Sequence, residues 1–126
     1  MRSFVIGLAV IASWVVVSRA QVPSSEVRMI EAEGGRAIAC IGDATEPGEI
    51  ARVLGDVRAA LGPVRILVNN AGISHFKPFL EITPAELERM YRINMMGPFL
   101  VTQAAVPDML AAGWGRVIFI SSSSAQ

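Results

Sequence analysis

Strand-like apolar runs alternate with amphipathic stretches along this chain, and glycine, proline or serine marks most of the boundaries between them. The runs at residues 14–17, 36–41, 66–68 and 115–120 have the length of strands. Between them lie three segments whose apolar positions recur at helical spacing. This alternation predicts an α/β fold, a Rossmann-like doubly wound parallel sheet of about four strands with intervening helices.

Turn residues delimit the first two predicted helices. Residues 26–33 form the first, which Gly34 and Gly35 end as a left-handed C-cap. The second has Thr45 or Glu46 as its N-cap and Pro47 near its first position, and it stops at residues 62–63. Its predicted buried face consists of Ile50, Val53, Leu54, Val57 and Leu61.

The third predicted helix starts at a capping box, residues 83–86, and reaches about Ala112. Within it Pro98 has no amide hydrogen, so it cannot donate a hydrogen bond to the carbonyl of Asn94. We therefore expect a kink with Gly97 beside it and a free main-chain carbonyl at Asn94. Such a carbonyl suits a bound water of functional importance, or else an ordinary solvated kink.

The amino terminus allows two interpretations. A basic start, an apolar run over residues 4–17 and small residues near residue 20 are typical of a signal peptide. The valines of residues 15–17 instead favour a buried strand, which removal of residues 1–20 would destroy. We favour the strand and leave residues 1–13 unassigned.

Composition narrows the class of protein. The 126 residues suit one domain, and 52% hydrophobic with 17% charged residues excludes a disordered chain. A net charge of zero gives no indication of nucleic-acid binding. One cysteine and one histidine exclude an intrachain disulfide and a metal site built from several of these residues. A reducing, cytoplasmic location is expected, with export or membrane association through residues 1–20 as the alternative.

Polar side chains follow each predicted strand. They are Asp43, Asn69 with Asn70, Ser121 with Ser122, and Ser18 with Arg19. The carboxyl ends of parallel strands lie along one rim, where ligands bind in such folds. An acid, two amides, hydroxyls and a guanidinium on one rim suit a nucleotide, although each residue alone could be a helix cap or turn former.

These residues resemble the classical short-chain dehydrogenases/reductases. The similarity rests on Asp43, on the sequence NNAG at residues 69–72, on Asn94 followed by residues 95–97, and on Ile120-Ser121-Ser122. It extends from about Trp14 to Gln126. The resemblance implies that residues 1–126 form a partial NAD(P)-binding Rossmann-like domain.

The resemblance also assigns roles to individual residues. It places Asp43 and Ala44 at the adenine, and it gives Asn94 a water held by its carbonyl in a proton relay. It implies that Ser122, with Ser121 as the fallback, polarises the substrate oxygen. Arg19 looks like a ligand of the 2′-phosphate and favours NADP over NAD. The remaining cofactor-binding residues that it implies are Asn69, Asn70, Ala71 and Gly72.

Two motifs of the family are missing. The glycine-rich turn TGxxxGxG is absent, because Gly7 is the only glycine before Gly34. The catalytic YxxxK pair is absent too, since Tyr91 and Lys77 are the only tyrosine and lysine. By resemblance we expect an NAD(P)-dependent oxidoreductase that interconverts carbonyls and secondary alcohols by hydride transfer, inactive as this truncated chain.

Two further hypotheses stay open. One is a non-catalytic module that binds a dinucleotide or a protein partner, and the other is a secreted protein with a signal peptide at residues 1–20. For the oxidoreductase, the expected partner is a small carbonyl or alcohol substrate, with no nucleic acid and with a homo-oligomer in the full-length protein.

Overall fold

The computed structural model describes residues 6–10, 13–18, 24–74 and 76–121. Five strands are present: β1 Ile6–Val10, β2 Ser13–Ser18, β3 Arg36–Ile41, β4 Ile66–Asn69 and β5 Arg116–Phe119. The α-helices are α1 Ser24–Ala32, α2 Pro47–Leu61, α3 Pro84–Tyr91 and α4 Gly97–Ala111. A 3-10 turn, Phe79–Glu81, precedes α3, and a π-helical turn, Arg92–Met96, joins α3 to α4.

The four predicted strands are present and pair in parallel. Strand β2 pairs with β3, so that Trp14 lies opposite Ala37 and Val17 opposite Cys40. Strand β4 pairs with β5, with Leu67 opposite Val117. A strand over residues 13–18 agrees with the strand interpretation of the amino terminus. The α/β fold with a partial parallel sheet is therefore confirmed.

Strand β1 departs from the all-parallel prediction. It runs antiparallel to β2, with Ile6 opposite Val17 and Val10 opposite Ser13. It also lies alongside β4, although hydrogen-bonded pairing forms two separate sheets, β1-β2-β3 and β4-β5. Only residues 11 and 12 separate β1 from β2. A parallel connection needs about a dozen residues or more, so this short link requires the antiparallel arrangement.

Local sequence signals account for the helix ends. Helix α1 starts at Ser24, two residues before the predicted start, and Gly34 adopts a positive φ of 82° beyond its end. The amide of Gly35 then donates to the carbonyl of Ile30 at 2.9 Å, which satisfies one of the last helical carbonyls. Helix α2 starts at Pro47, which fits the first helical position because that position needs no amide donor.

The core lies between α2, α4 and the strands. The predicted face of α2 is buried at Ile50, Val53, Leu54 and Val57, whereas Leu61 is partly buried. These residues pack with Val64, Leu67, Ala105 and Met109. Full burial of one such aliphatic side chain contributes about 1.5–3 kcal/mol, so this layer holds the helices against the sheet.

The Asp108 carboxylate ties three elements together at the edge where β4 begins. It accepts hydrogen bonds from Arg58 Nε at 3.0 and 3.1 Å and from the Val64 amide at 2.9 Å. Arg58 Nη2 also donates to the carbonyl of Ala104 at 3.0 Å. Helix α2, helix α4 and the segment leading into β4 are thereby joined at one point.

The long third helix is divided in the structure. A capping box between Thr83 and Glu86 starts α3 as predicted. The expected kink before Pro98 is a π-helical turn, in which the Gly97 amide donates to the carbonyl of Arg92, five residues earlier. Because Pro98 cannot donate to residue 94, the bonding pattern shifts locally instead of continuing as an α-helix. Among the helices described, none is both long and apolar enough to cross a membrane.

Candidate functional site

Three segments meet at the carboxyl ends of β3 and β4: residues 42–46, residues 70–73 and the π-helical turn. A Cβ atom built on Gly97 would lie 3.4 Å from the Ala44 carbonyl oxygen, so the start of α4 lies close to the backbone of the segment after β3. Arg92 Nη2 lies 3.2 Å from Glu46 Oε1 across the same junction. The fold thus brings the predicted segments around Asp43, Asn70 and Asn94 to one rim.

Asn94 holds the loop after NNAG against the π-helical turn. Its Oδ1 accepts from the Ile73 amide at 2.8 Å, and its Nδ2 donates to the Ile73 carbonyl at 2.8 Å. A Cβ on Gly72 would lie 3.6 Å from that Oδ1, in ordinary van der Waals contact. The side-chain amide of Asn94 is therefore used for positioning, and the water on its main-chain carbonyl stays a prediction.

Asp43 is fixed in a tight turn after β3. Its Oδ1 accepts hydrogen bonds from the Thr45 amide at 2.9 Å and from the Thr45 hydroxyl at 2.8 Å. Its amide donates to Glu49 Oε2 at 3.2 Å. Thr45 is not the N-cap of α2, because Glu46 occupies that position without a side-chain bond. These bonds hold the Asp43 carboxylate and the neighbouring Ala44 backbone at the rim.

The two asparagines of NNAG differ in environment. Asn69, the last residue of β4, is 8% exposed, and its Nδ2 donates to Thr102 Oγ1 on α4 at 3.1 Å. Its carbonyl accepts from the Ile120 amide at 2.9 Å, which extends the pairing of β4 with β5. Asn70 is exposed on the rim, and Ala71 is partly buried. Asn69 thus links the strand to α4, while Asn70 is available to a ligand.

Not every predicted site residue is described. Arg19 and Ser122 lie outside the described residues, and Ser121 is exposed two residues beyond the end of β5. The sequence did not identify Thr102 or Ile73 as partners of the two asparagines. Both contacts join residues more than twenty positions apart, and no local motif signals them.

The only tyrosine and the only lysine do not form a catalytic pair. Lys77 Nζ lies 2.7 Å from Glu86 Oε1 in an ion pair that anchors the loop before α3. The hydrogen bond from Lys77, together with those from Thr83, lowers the pKa of Glu86 to about 2. Tyr91 is exposed at the end of α3. Within the described part of the chain, no group of three or more acidic, histidine or cysteine side chains could hold a metal ion.

The described residues fit one half of the dinucleotide implied by the resemblance. The fixed turn at Asp43 and Ala44 places a carboxylate and main-chain groups at the rim, where the resemblance puts the adenine. The pyrophosphate of a dinucleotide would require a glycine-rich turn between the first strand and a helix. Here β1 is followed by β2, and Gly7 pairs with Val16 inside the strand. The pyrophosphate half therefore does not fit the described residues.

Comparison with known proteins places the chain in a family. The family model described as short chain dehydrogenase matches residues 8–126. A short-chain type dehydrogenase/reductase from Picea abies is 37% identical over 93 residues, which cover 72% of this chain and 34% of that protein. An L-rhamnose 1-dehydrogenase (NAD(P)(+)) from Sphingomonas sp. (strain SKA58) is 36% identical over 100 residues, covering 79% and 39%.

Solved structures agree with this assignment. A 7α-hydroxysteroid dehydrogenase complexed with NADH and 7-oxo glycochenodeoxycholic acid superimposes with a TM-score of 0.79 at 35% identity, covering 88% of this chain and 44% of that one. A metagenomic short-chain oxidoreductase in complex with NADP gives a TM-score of 0.78 at 35% identity, covering 87% and 51%. The chain spans about a third to a half of the length of these proteins. By its sequence and its fold, the chain belongs to the classical short-chain dehydrogenase/reductase family.

Proposed function

We propose that the protein is an NAD(P)-dependent oxidoreductase that interconverts a small carbonyl compound and a secondary alcohol by hydride transfer, with NADP favoured. In this proposal the described chain supplies the adenine side of the cofactor site. The observation that carries it is the bonding of Asn94 to Ile73, which fixes the NNAG loop beside the Asp43 turn. The names of the relatives, a NAD(P)(+) dehydrogenase and proteins solved with NADH or NADP, support it.

The individual roles are proposals of the same kind. Asp43 and Ala44 contact the adenine, and Arg19 contacts the 2′-phosphate. Asn94 holds a water through its carbonyl, and Ser122 polarises the substrate oxygen. The wall of the site consists of Asn69, Asn70, Ala71 and Gly72.

Binding by the 126-residue chain tests the adenine assignment. In a ¹⁵N-labelled sample, NADP⁺ should shift the amide signals of Ala44 and Gly72. Asp43→Leu removes the charged acceptor and should weaken binding about tenfold. Asp56→Leu, a matched change of an exposed aspartate on α2, should leave binding unchanged. Equal affinities of the two variants, or no shift with the wild-type chain, would contradict the proposal.

The positioning role of Asn94 has its own readout. Asn94→Leu removes both side-chain hydrogen bonds to Ile73, so we expect the Ile73 amide to exchange with solvent at least about tenfold faster. Gln103→Leu, an exposed amide-to-leucine change on α4, should leave that exchange unchanged. An Ile73 amide that stays protected in Asn94→Leu would show that the loop is held by other contacts.

Turnover is not expected from this chain alone. Its only lysine is held by Glu86, and no tyrosine–lysine pair is available to deliver a proton. NADPH oxidation with a panel of ketones should therefore match a no-enzyme control. A rate clearly above that control would contradict this expectation.

A non-catalytic adenine-nucleotide or partner-binding module is the second candidate, favoured by the direct connection of β1 to β2. Sequencing the reading frame beyond both ends of this chain separates the two candidates. A TGxxxGxG motif upstream and a YxxxK motif downstream would support the oxidoreductase. Stop codons at both boundaries would favour the module.

We also propose a cytoplasmic location and a homo-oligomer for the full-length protein. The unpaired, buried Cys40 is in keeping with a reducing compartment. Exposed apolar side chains on α3 and α4, at Leu87, Tyr91 and Phe99, support an interface between copies. Light scattering of the full-length protein would test the oligomer, and a mature amino terminus at Gln21 would contradict the location.

A further inference from the structure

The direction of β1 in the sheet follows from contacts at both edges. The segments after β3 and β4 meet at the rim, where the Ala44 carbonyl faces Gly97 and Ile73 binds Asn94. At the opposite edge, Arg36 at the start of β3 donates to the carbonyl of Ala60 at the end of α2. Strands β2, β3, β4 and β5 therefore run toward the rim, and β1 runs away from it.

Because β1 runs away from the rim, the usual phosphate-binding turn cannot follow it there. In a doubly wound fold, the first strand delivers the chain to the rim, where a glycine-rich turn opens a helix whose amides meet the pyrophosphate. Here Val10, the last residue of β1, pairs with Ser13 at the far edge. The chain continues directly into β2, so no helix N-terminus follows the central strand.

The starts of α2 and α3 do not replace that site. Helices α2 and α3 each carry a carboxylate in the first turn, Glu49 in α2 and Glu86 in α3. Glu49 accepts from the Asp43 amide, which places its negative charge beside the proposed adenine turn. A carboxylate at a helix N-terminus already uses the positive end of the helix dipole and repels a second anion.

From this geometry we infer that the chain recognises adenine nucleosides and nucleotides through base and ribose alone, and that their 5′-phosphates contribute no affinity. The inference rests on the proposed function, because it takes the Asp43 turn as the adenine site. Its chemical consequence is that adenosine, AMP and ADP bind with the same affinity. A dinucleotide gains nothing from its pyrophosphate at this site.

Titration of the labelled 126-residue chain with adenosine and with ADP tests the inference, and neither ligand carries a 2′-phosphate. We expect dissociation constants that agree within about twofold, and an ADP affinity that changes less than about twofold when NaCl rises from about 50 to about 300 mM. The 7α-hydroxysteroid dehydrogenase, which was solved with NADH, is the positive control. For it, ADP should bind at least about tenfold more tightly than adenosine.

The outcomes separate this inference from the proposed function. Tenfold tighter binding of ADP by this chain would overturn the inference and leave the adenine site intact. Binding of neither ligand would overturn the proposed adenine site and the inference with it. Equal weakening of both ligands by Asp43→Leu would support both, whereas weakening of ADP alone would overturn the inference.

Discussion

Asp108→Ala removes a carboxylate that accepts hydrogen bonds from two separate parts of the fold. One partner is the side chain of Arg58 on α2, and the other is the amide of Val64 just before β4. The Asp108 side chain is 15% exposed and that of Arg58 is 37% exposed. Val64 is fully buried, so water cannot easily replace the lost acceptor at its amide.

The cost can be worked out from these partners. A buried amide left without an acceptor costs about 1–3 kcal/mol. A hydrogen bond to a charged group contributes about 1.5–3 kcal/mol, and we take the lower end because water reaches the Arg58 guanidinium. Alanine returns part of a kcal/mol through its better helix propensity. We therefore expect Asp108→Ala to lower the free energy of unfolding by about 3 kcal/mol.

Urea denaturation followed by far-UV circular dichroism measures this loss, with Asp56→Ala as the matched control. Asp56 pairs with Arg52 in the other long helix, but the two side chains are 55% and 50% exposed. An exposed pair of this kind contributes about 0–1 kcal/mol, and the gain in helix propensity is the same. A loss for Asp108→Ala no larger than that for Asp56→Ala would refute the reasoning.

The pH dependence gives a second check on Asp108. Burial raises the pKa of its carboxyl, but the hydrogen bonds from Arg58 and Val64 outweigh burial and set the pKa below its ordinary value of 3.8. A lowered pKa means that the charged form stabilises the folded state above the ordinary value. This contribution is lost as the pH falls through the folded pKa. The difference between wild type and Asp108→Ala should therefore shrink in acid, and a constant difference would contradict the assignment.

Three further predictions use the same kind of measurement. Asn69→Leu leaves the Thr102 hydroxyl without its partner and should cost about 1–3 kcal/mol in urea denaturation, whereas adding Thr102→Val should restore most of that loss. The pKa of Glu86 is about 2, chiefly because Lys77 donates a hydrogen bond to it. In Lys77→Met, NMR titration of the carboxyl should show this pKa rising toward its ordinary value of 4.5. An unchanged pKa would exclude the ion pair. Burial raises the pKa of the Cys40 thiol, so a thiol reagent at pH 8 should label the native chain far more slowly than the urea-unfolded chain.

Sequence reasoning succeeded where the signal is local. The capping box at Thr83 and Glu86 was predicted correctly because both partners lie within one turn of helix. The buried face of α2 followed from periodicity, because the apolar positions repeat every three to four residues. Pro98 marked the right place for a break, although the missing amide does not determine whether the helix bends or forms a π-helical turn.

Features that depend on distant partners were not predictable in the same way. The side chain of Asn94 binds Ile73, twenty-one residues earlier, and nothing in either local sequence specifies this pairing. The direction of β1 depends on the short link at residues 11–12, but its place beside β4 depends on tertiary contacts. The sequence of residues 1–13, which is also compatible with a signal peptide, therefore does not predict this strand.

The antiparallel β1 is compatible with the contacts at the rim, because pairing with β2 and binding a phosphate require different things of this strand. The edge of β2 needs only a row of backbone donors and acceptors, and a strand of either direction provides it. Phosphate binding needs the chain to arrive at the rim and turn into a helix, which only one direction allows. A five-residue antiparallel strand can therefore pair with β2 beside β4 and leave in place the Asp43 turn and the hydrogen bonds between Asn94 and Ile73. The described residues thus contain the strands and the rim contacts at Asp43 and Asn94, but β1 is not followed by a phosphate-binding turn.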